Sequence, residues 1–89
     1  MARILVTPEE VRRIATQFKQ KSDESQAMVN ELTVVINNLD QNWEGLSNQK
    51  FMHEFTQWQS TMGQFVTLLD EINKQLQMVA QRFENADAV

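Results

Sequence analysis

Eighty-nine residues without a single cysteine allow one domain at most, and exclude disulfide cross-links and thiolate metal sites. Twelve acidic residues against eight basic ones give a net charge of −4, which disfavours non-specific nucleic-acid binding. A hydrophobic content of 42% suits a folded chain rather than a disordered tail, and two glycines with one proline are too few for many turns.

The first six residues precede any helical pattern. Ile4-Leu5-Val6 is too short for the core of a signal peptide, and no cleavage site follows Met1-Ala2-Arg3. Export of this chain would therefore proceed without a conventional cleaved leader. No segment has the length and apolarity to span a membrane.

Thr7-Pro8-Glu9-Glu10 is a strong helix start. Thr7 suits the N-cap, Pro8 the first helical position and Glu10 the capping-box acid, while Val6 and Val11 have the spacing of a hydrophobic staple. The apolar line then runs Val11, Ile14, Phe18, Met28, Leu32, Val35 and Leu39. The same period places Lys21 and Ser25 in its gap, a polar waist read as a wetter or tighter packing layer. No glycine or proline interrupts residues 9–43, so a first helix is expected over about 8–40.

Asp40-Gln41-Asn42 can end that helix, and Trp43-Glu44-Gly45 follows as a bend over about 41–46. Glycine permits the turn and tryptophan supplies one large anchor. A second helix is expected over about 46–85, with Gly45 or Ser47 as its cap. Its apolar line is Phe51, Phe55, Trp58, Met62, Phe65, Leu69, Ile72, Leu76, Val79 and Phe83, every step three or four. Gly63 lies within this pattern and is read as a close approach of a neighbouring helix. Nothing alternates with period two over a useful length, so no sheet is expected.

A short connection between long helices makes them antiparallel neighbours, and the two apolar lines are expected to face each other. Further apolar residues flank both lines: Ala15, Val29, Val34 and Ile36 on the first helix; Met52, Val66, Leu68 and Met78 on the second. The stripe is wider than a two-stranded coil needs, which predicts an all-α hairpin that dimerises into a four-helix bundle. Its expected core is Phe18, Leu32, Leu39, Phe51, Phe55, Trp58, Met62, Phe65, Leu69 and Ile72. A homodimer is the simplest solution, because the chain carries its own partner surface; a heterodimer with a paralogue is the alternative.

No residue pattern supports catalysis, a metal or a cofactor. His53 is the only histidine and has Glu54 beside it rather than a ligand one helical turn away; the acidic doublets are explained by capping and solvation. The aromatic line has core spacing rather than that of a nucleic-acid stacking platform. The polar face is rich in Gln and Asn instead of Lys and Arg, so stable membrane insertion is not expected. Residues 1–22 hold five bases and two acids, whereas residues 23–49 hold five acids and no base, so opposite ends of two antiparallel chains attract.

The central Trp43-Glu44-Gly45, the extended pattern Trp43-x-Gly45-x-Ser47-x-x-x-Phe51, and the length together resemble the WXG100 family. These are the early-secreted-antigen-like substrates of type VII secretion, and the resemblance covers the whole chain. It implies a non-enzymatic protein made in the bacterial cytoplasm and exported, folded and dimeric, through a complex driven by an FtsK/SpoIIIE-type ATPase. Family members usually end in a Tyr-x-x-x-Asp/Glu export signal. The matching positions here are Phe83 and Asp87, where phenylalanine keeps the ring and loses the hydroxyl. An antiparallel dimer implies that Trp43 and Gly45 of one chain approach Phe83 and Asp87 of the other, giving a composite signal complete only after pairing. An intracellular helical adaptor and a membrane-active secreted effector are the competing readings.

Overall fold

The computed structural model describes residues 6–87; the leader reading of the first residues lies outside them. The chain forms two helices, α1 (Pro8–Asp40) and α2 (Leu46–Asp87), joined by a five-residue bend at 41–45. α1 starts where the Glu10 backbone N–H donates to Thr7 Oγ1 at 3.2 Å and proline occupies the first helical turn. Glu9 and Glu10 place negative charge at the positive end of the helix dipole. Neither helix is apolar enough to cross a membrane.

The helices lie side by side and antiparallel, but the contact line differs from the one expected. Val11, Ala15, Ser22 and Val29 of α1 are buried, as are Leu69 and Ala80 of α2; of these, Val11 and Leu69 lie on the expected lines. The innermost positions are small: Ala15 and Ala80 are 0% exposed and Ser22 is 1% exposed. Small side chains let the two helix backbones approach, and the Ser22 hydroxyl donates to the Val66 carbonyl at 3.4 Å. Farther along, Gln59 Nε2 donates to Thr33 Oγ1 at 2.8 Å.

The line Ile14, Lys21, Met28, Leu32, Val35 and Leu39 therefore does not face α2. All six residues are exposed on the hairpin surface, as is Phe65 of α2. A single neighbouring helix can cover only one edge of so wide a stripe, and the edge it covers is the one with small residues. Of the remaining expected core residues, Leu69 is buried, while Phe18, Phe51, Phe55, Trp58, Met62 and Ile72 are half-buried. Gly63 also departs from expectation: a β-carbon there would meet nothing within 4 Å, so no close approach occurs at it inside the hairpin.

The two flanks of the contact line have opposite character. Arg12–Glu84 at 2.7 Å and Lys19–Asp70 at 3.8 Å bridge the helices on one side. Helical periodicity places Phe18, Leu32, Leu39, Met62, Phe65 and Leu69 along the other. The hairpin thus has one polar face and one largely apolar face, interrupted midway by Lys21 and Ser25.

Candidate functional site

The bend is built by a relay of backbone and amide bonds. At the end of α1, the Gln41 N–H donates to Asn37 O, Asn42 N–H to Leu39 O and Trp43 N–H to Asp40 O. The Asn42 side-chain amide donates to Asn38 O at 3.1 Å, satisfying another terminal carbonyl. Gly45 then adopts φ +113°, a conformation open to glycine and strained for other residues, and its carbonyl accepts from Gln49 N–H to open α2. A β-carbon at Gly45 would meet nothing within 4 Å, so backbone conformation rather than space requires glycine there.

Asn48 ties the bend together. Its Nδ2 donates to the Trp43 carbonyl at 2.7 Å and to Asp40 Oδ1 at 2.8 Å, joining α2 to the end of α1. The sequence reading passed over Asn48. The available signal was a polar amide in the first turn of a helix, three residues after the glycine.

Trp43 is half-buried, and its ring lies 5.6 Å from that of Phe51 at an interplanar angle of 43°. Phe51 stacks on Phe55 at 6.3 Å, and Phe55 on Trp58 at 5.3 Å. Four aromatic rings thus run from the bend along α2. Contacts of this kind contribute about 0.5–1.5 kcal/mol each beyond area burial. Trp43 is held by this ladder and keeps part of its surface in solvent. Leu46, at the start of α2, is 83% exposed beside it.

At the other end, α2 continues to Asp87. Phe83 and Glu84 are half-buried. The Arg12 guanidinium bonds the Glu84 carboxylate and reaches Gln77 Oε1 at 3.5 Å, docking the end of α2 onto the start of α1. Arg12, Glu84 and Gln77 were not singled out from the sequence because their pairing spans more than 60 residues. Asp87 occupies the last helical position, and its side chain lies outside the described residues.

The structure does not bring the two predicted signal elements together within one chain. From Leu46 to Phe83 the helix rises about 55 Å, so Trp43 and Phe83 occupy opposite ends of the hairpin. Among the described residues no cluster of His, Asp or Glu has the arrangement of a metal site.

Comparison with known proteins agrees with this architecture. The family model described as WXG100, proteins of 100 residues with WXG, matches residues 3–88. An ESAT-6-like protein of Streptococcus agalactiae is 35% identical over 88 residues, covering 99% of this chain and 92% of that protein. The type VII secretion system extracellular protein A of Staphylococcus aureus is 32% identical over 87 residues, covering 98% and 90%. The crystal structure of the secreted protein EsxB from Bacillus anthracis superposes with a TM-score of 0.86 at 40% identity, covering 98% of this chain and 99% of that one.

Proposed function

The chain belongs to the WXG100 family, and we propose that it is a non-enzymatic substrate of a type VII secretion system, exported as a folded, paired hairpin. Two relatives carry secretion or extracellular location in their names, which supports the exported role. In this reading the Trp43–Gly45 bend of one chain and the Phe83–Asp87 tail of its partner form one recognition surface for an FtsK/SpoIIIE-type ATPase.

The observation that carries the composite signal is the separation of its halves. One rigid hairpin holds Trp43 and Phe83 at opposite ends, whereas antiparallel pairing of two hairpins places each bend beside the other chain's tail. The broad apolar face provides a reason to pair, since monomeric soluble proteins rarely leave so long a patch uncovered. Export would then report on correct folding and assembly.

The test is secretion of Trp43→Ala, Gly45→Ala, Phe83→Ala and Asp87→Ala variants whose paired state has been confirmed by mass, together with the unchanged protein in a strain lacking the ATPase. Loss of export from paired variants and from that strain is expected. Undiminished export of all four variants would refute the composite signal, and export without the ATPase would refute the secretion route.

A further inference from the structure

Beyond Ala80, α2 runs on with little to hold it. Ala80 is fully buried, but none of residues 81–86 is: Phe83 and Glu84 are half-buried, and Gln81, Arg82, Asn85 and Ala86 are exposed. The helix end is also poorly compensated in charge. Its last turn holds no basic residue, and Glu84 and Asp87 place two acids at the negative end of the helix dipole. A helix end of this kind frays unless a group outside the helix holds it.

The missing cation comes from the other helix. Arg12 Nη2 and Nε lie 2.7 and 3.1 Å from Glu84 Oε1, and Nη1 donates to Gln77 Oε1 at 3.5 Å. Gln77 and Glu84 are two turns apart on one face of α2. One guanidinium therefore grips the helix at two points and fixes the rotation of its last turns about the axis. The Gln77 amide is oriented in turn, its Nε2 donating to Asn73 Oδ1 at 3.5 Å. Among the described residues, Arg12–Glu84 is the one ion pair or side-chain hydrogen bond that crosses from residues 81–86 to α1. The other ion pair between the helices, Lys19–Asp70, meets α2 about four turns earlier.

We propose that Arg12 is a positioning residue for the tail signal, holding residues 83–87 as one helical turn so that Phe83 and Asp87 are offered at a fixed spacing. The inference rests on the tail half of the proposed function and is independent of how two hairpins pair. Four residues rise about 6 Å in a helix, whereas in an extended chain they span about 13 Å. A receptor that reads a ring and a carboxylate together accepts one of these spacings and loses the other. Its apparent affinity scales with the fraction of chains that hold the competent turn. Phe83 has no hydroxyl to add a hydrogen bond of its own, which leaves the spacing as the distinguishing feature of the tail. Arg12 acts through Glu84, without touching the receptor.

The test uses the full chain in a secreting strain, with amide hydrogen exchange on the purified protein. Arg12→Glu replaces attraction by repulsion, so exchange over residues 81–86 should accelerate about fivefold or more while the centre of α2 stays protected. The secreted fraction should fall about threefold or more as the competent turn is depopulated. Arg12→Glu combined with Glu84→Arg restores the ion pair with its polarity reversed, and both readouts should return to within about twofold of the unchanged chain. Lys19→Met removes the other pair between the helices and should leave tail exchange and export as they were, which separates positioning from general stability. Full export of Arg12→Glu, where Phe83→Ala and Asp87→Ala are retained in the cell, would overturn the positioning role and leave the tail signal standing. Full export of the two tail variants would instead overturn the tail reading, and the proposal with it. If the reversed pair restores slow exchange but not export, the arginine itself is what the receptor reads, and the positioning role fails. Should Arg12→Glu not accumulate, Arg12→Gln gives the same comparison with a smaller loss.

Discussion

Arg12 reaches across the hairpin to Glu84, with Nη2 2.7 Å and Nε 3.1 Å from the same carboxylate oxygen. The pair fastens the last turns of α2, which carry Phe83, to the second turn of α1. Both side chains are about a third or more exposed, so water and salt screen the attraction. A double-mutant cycle with Arg12→Ala and Glu84→Ala, followed by urea denaturation, should give a coupling of about 0.5 kcal/mol. The more sensitive readout is local. Amide hydrogen exchange over residues 81–86 should accelerate in either single variant while the centre of α2 stays protected.

Lys19 links the helices in a second way. Its ammonium lies 3.0 Å from Asp23 on its own helix and 3.8 Å from Asp70 on the other. The hydrogen bond and charge of Asp23, with the charge of Asp70, raise its pKa above the ordinary 10.5. A raised pKa means that the folded state binds this proton more tightly than the unfolded state. The contribution is therefore fully present below the ordinary value and is lost as pH climbs through the raised one. Denaturation midpoints measured from pH 9 to 12 should show this alkaline loss in the unchanged chain, and Lys19→Met should remove the part due to Lys19.

The hairpin was legible because its signals are local. Thr7-Pro8-Glu9-Glu10 specifies a helix start within four residues, and the bend interrupts two unbroken helical periods. The packing line was not legible to the same degree. Helical period identifies a stripe, and when the stripe spans three adjacent rows it does not say which row meets the neighbour. Large apolar residues trace the line Val11, Ile14, Phe18, Met28, Leu32, Val35 and Leu39, of which only Val11 is buried in the hairpin, whereas close backbone approach selects Ala15 and Ser22 of α1 and Ala80 of α2. Asn48 was missed for a related reason. Its two acceptors, Asp40 and the Trp43 carbonyl, become neighbours only after Gly45 turns the chain.

The bend should be sensitive to Gly45 and Asn48 for different reasons. Gly45→Ala forces an alanine to φ +113°, at a cost of about 1–3 kcal/mol, although its methyl group would collide with nothing. Asn48→Ala leaves the Trp43 carbonyl without its 2.7 Å donor and should cost about 1–2 kcal/mol. Urea denaturation of each variant measures these losses. Near-ultraviolet circular dichroism should separate the causes, because loosening of the Trp43–Phe51 contact follows directly from release of the Trp43 backbone.

Ser22 decides whether the close contact depends on size or on polarity. Its hydroxyl donates to Val66 at 3.4 Å, but Val66 lies in the middle of α2, where its carbonyl also has a place in the helical bonding pattern. Ser22→Ala therefore removes a long, redundant bond while preserving volume, and the denaturation midpoint should move little, by less than about 0.5 kcal/mol. Ser22→Leu keeps the site apolar but inserts a branched chain where the residue is 1% exposed and the helix backbones are close. The helices must then separate or the leucine must leave its preferred rotamer, a cost of about 1–3 kcal/mol. If leucine instead stabilises the hairpin, the contact is an underfilled hydrophobic layer and the small residues do not set the helix spacing. Retention of stability in the alanine variant with a loss in the leucine variant places the constraint on volume.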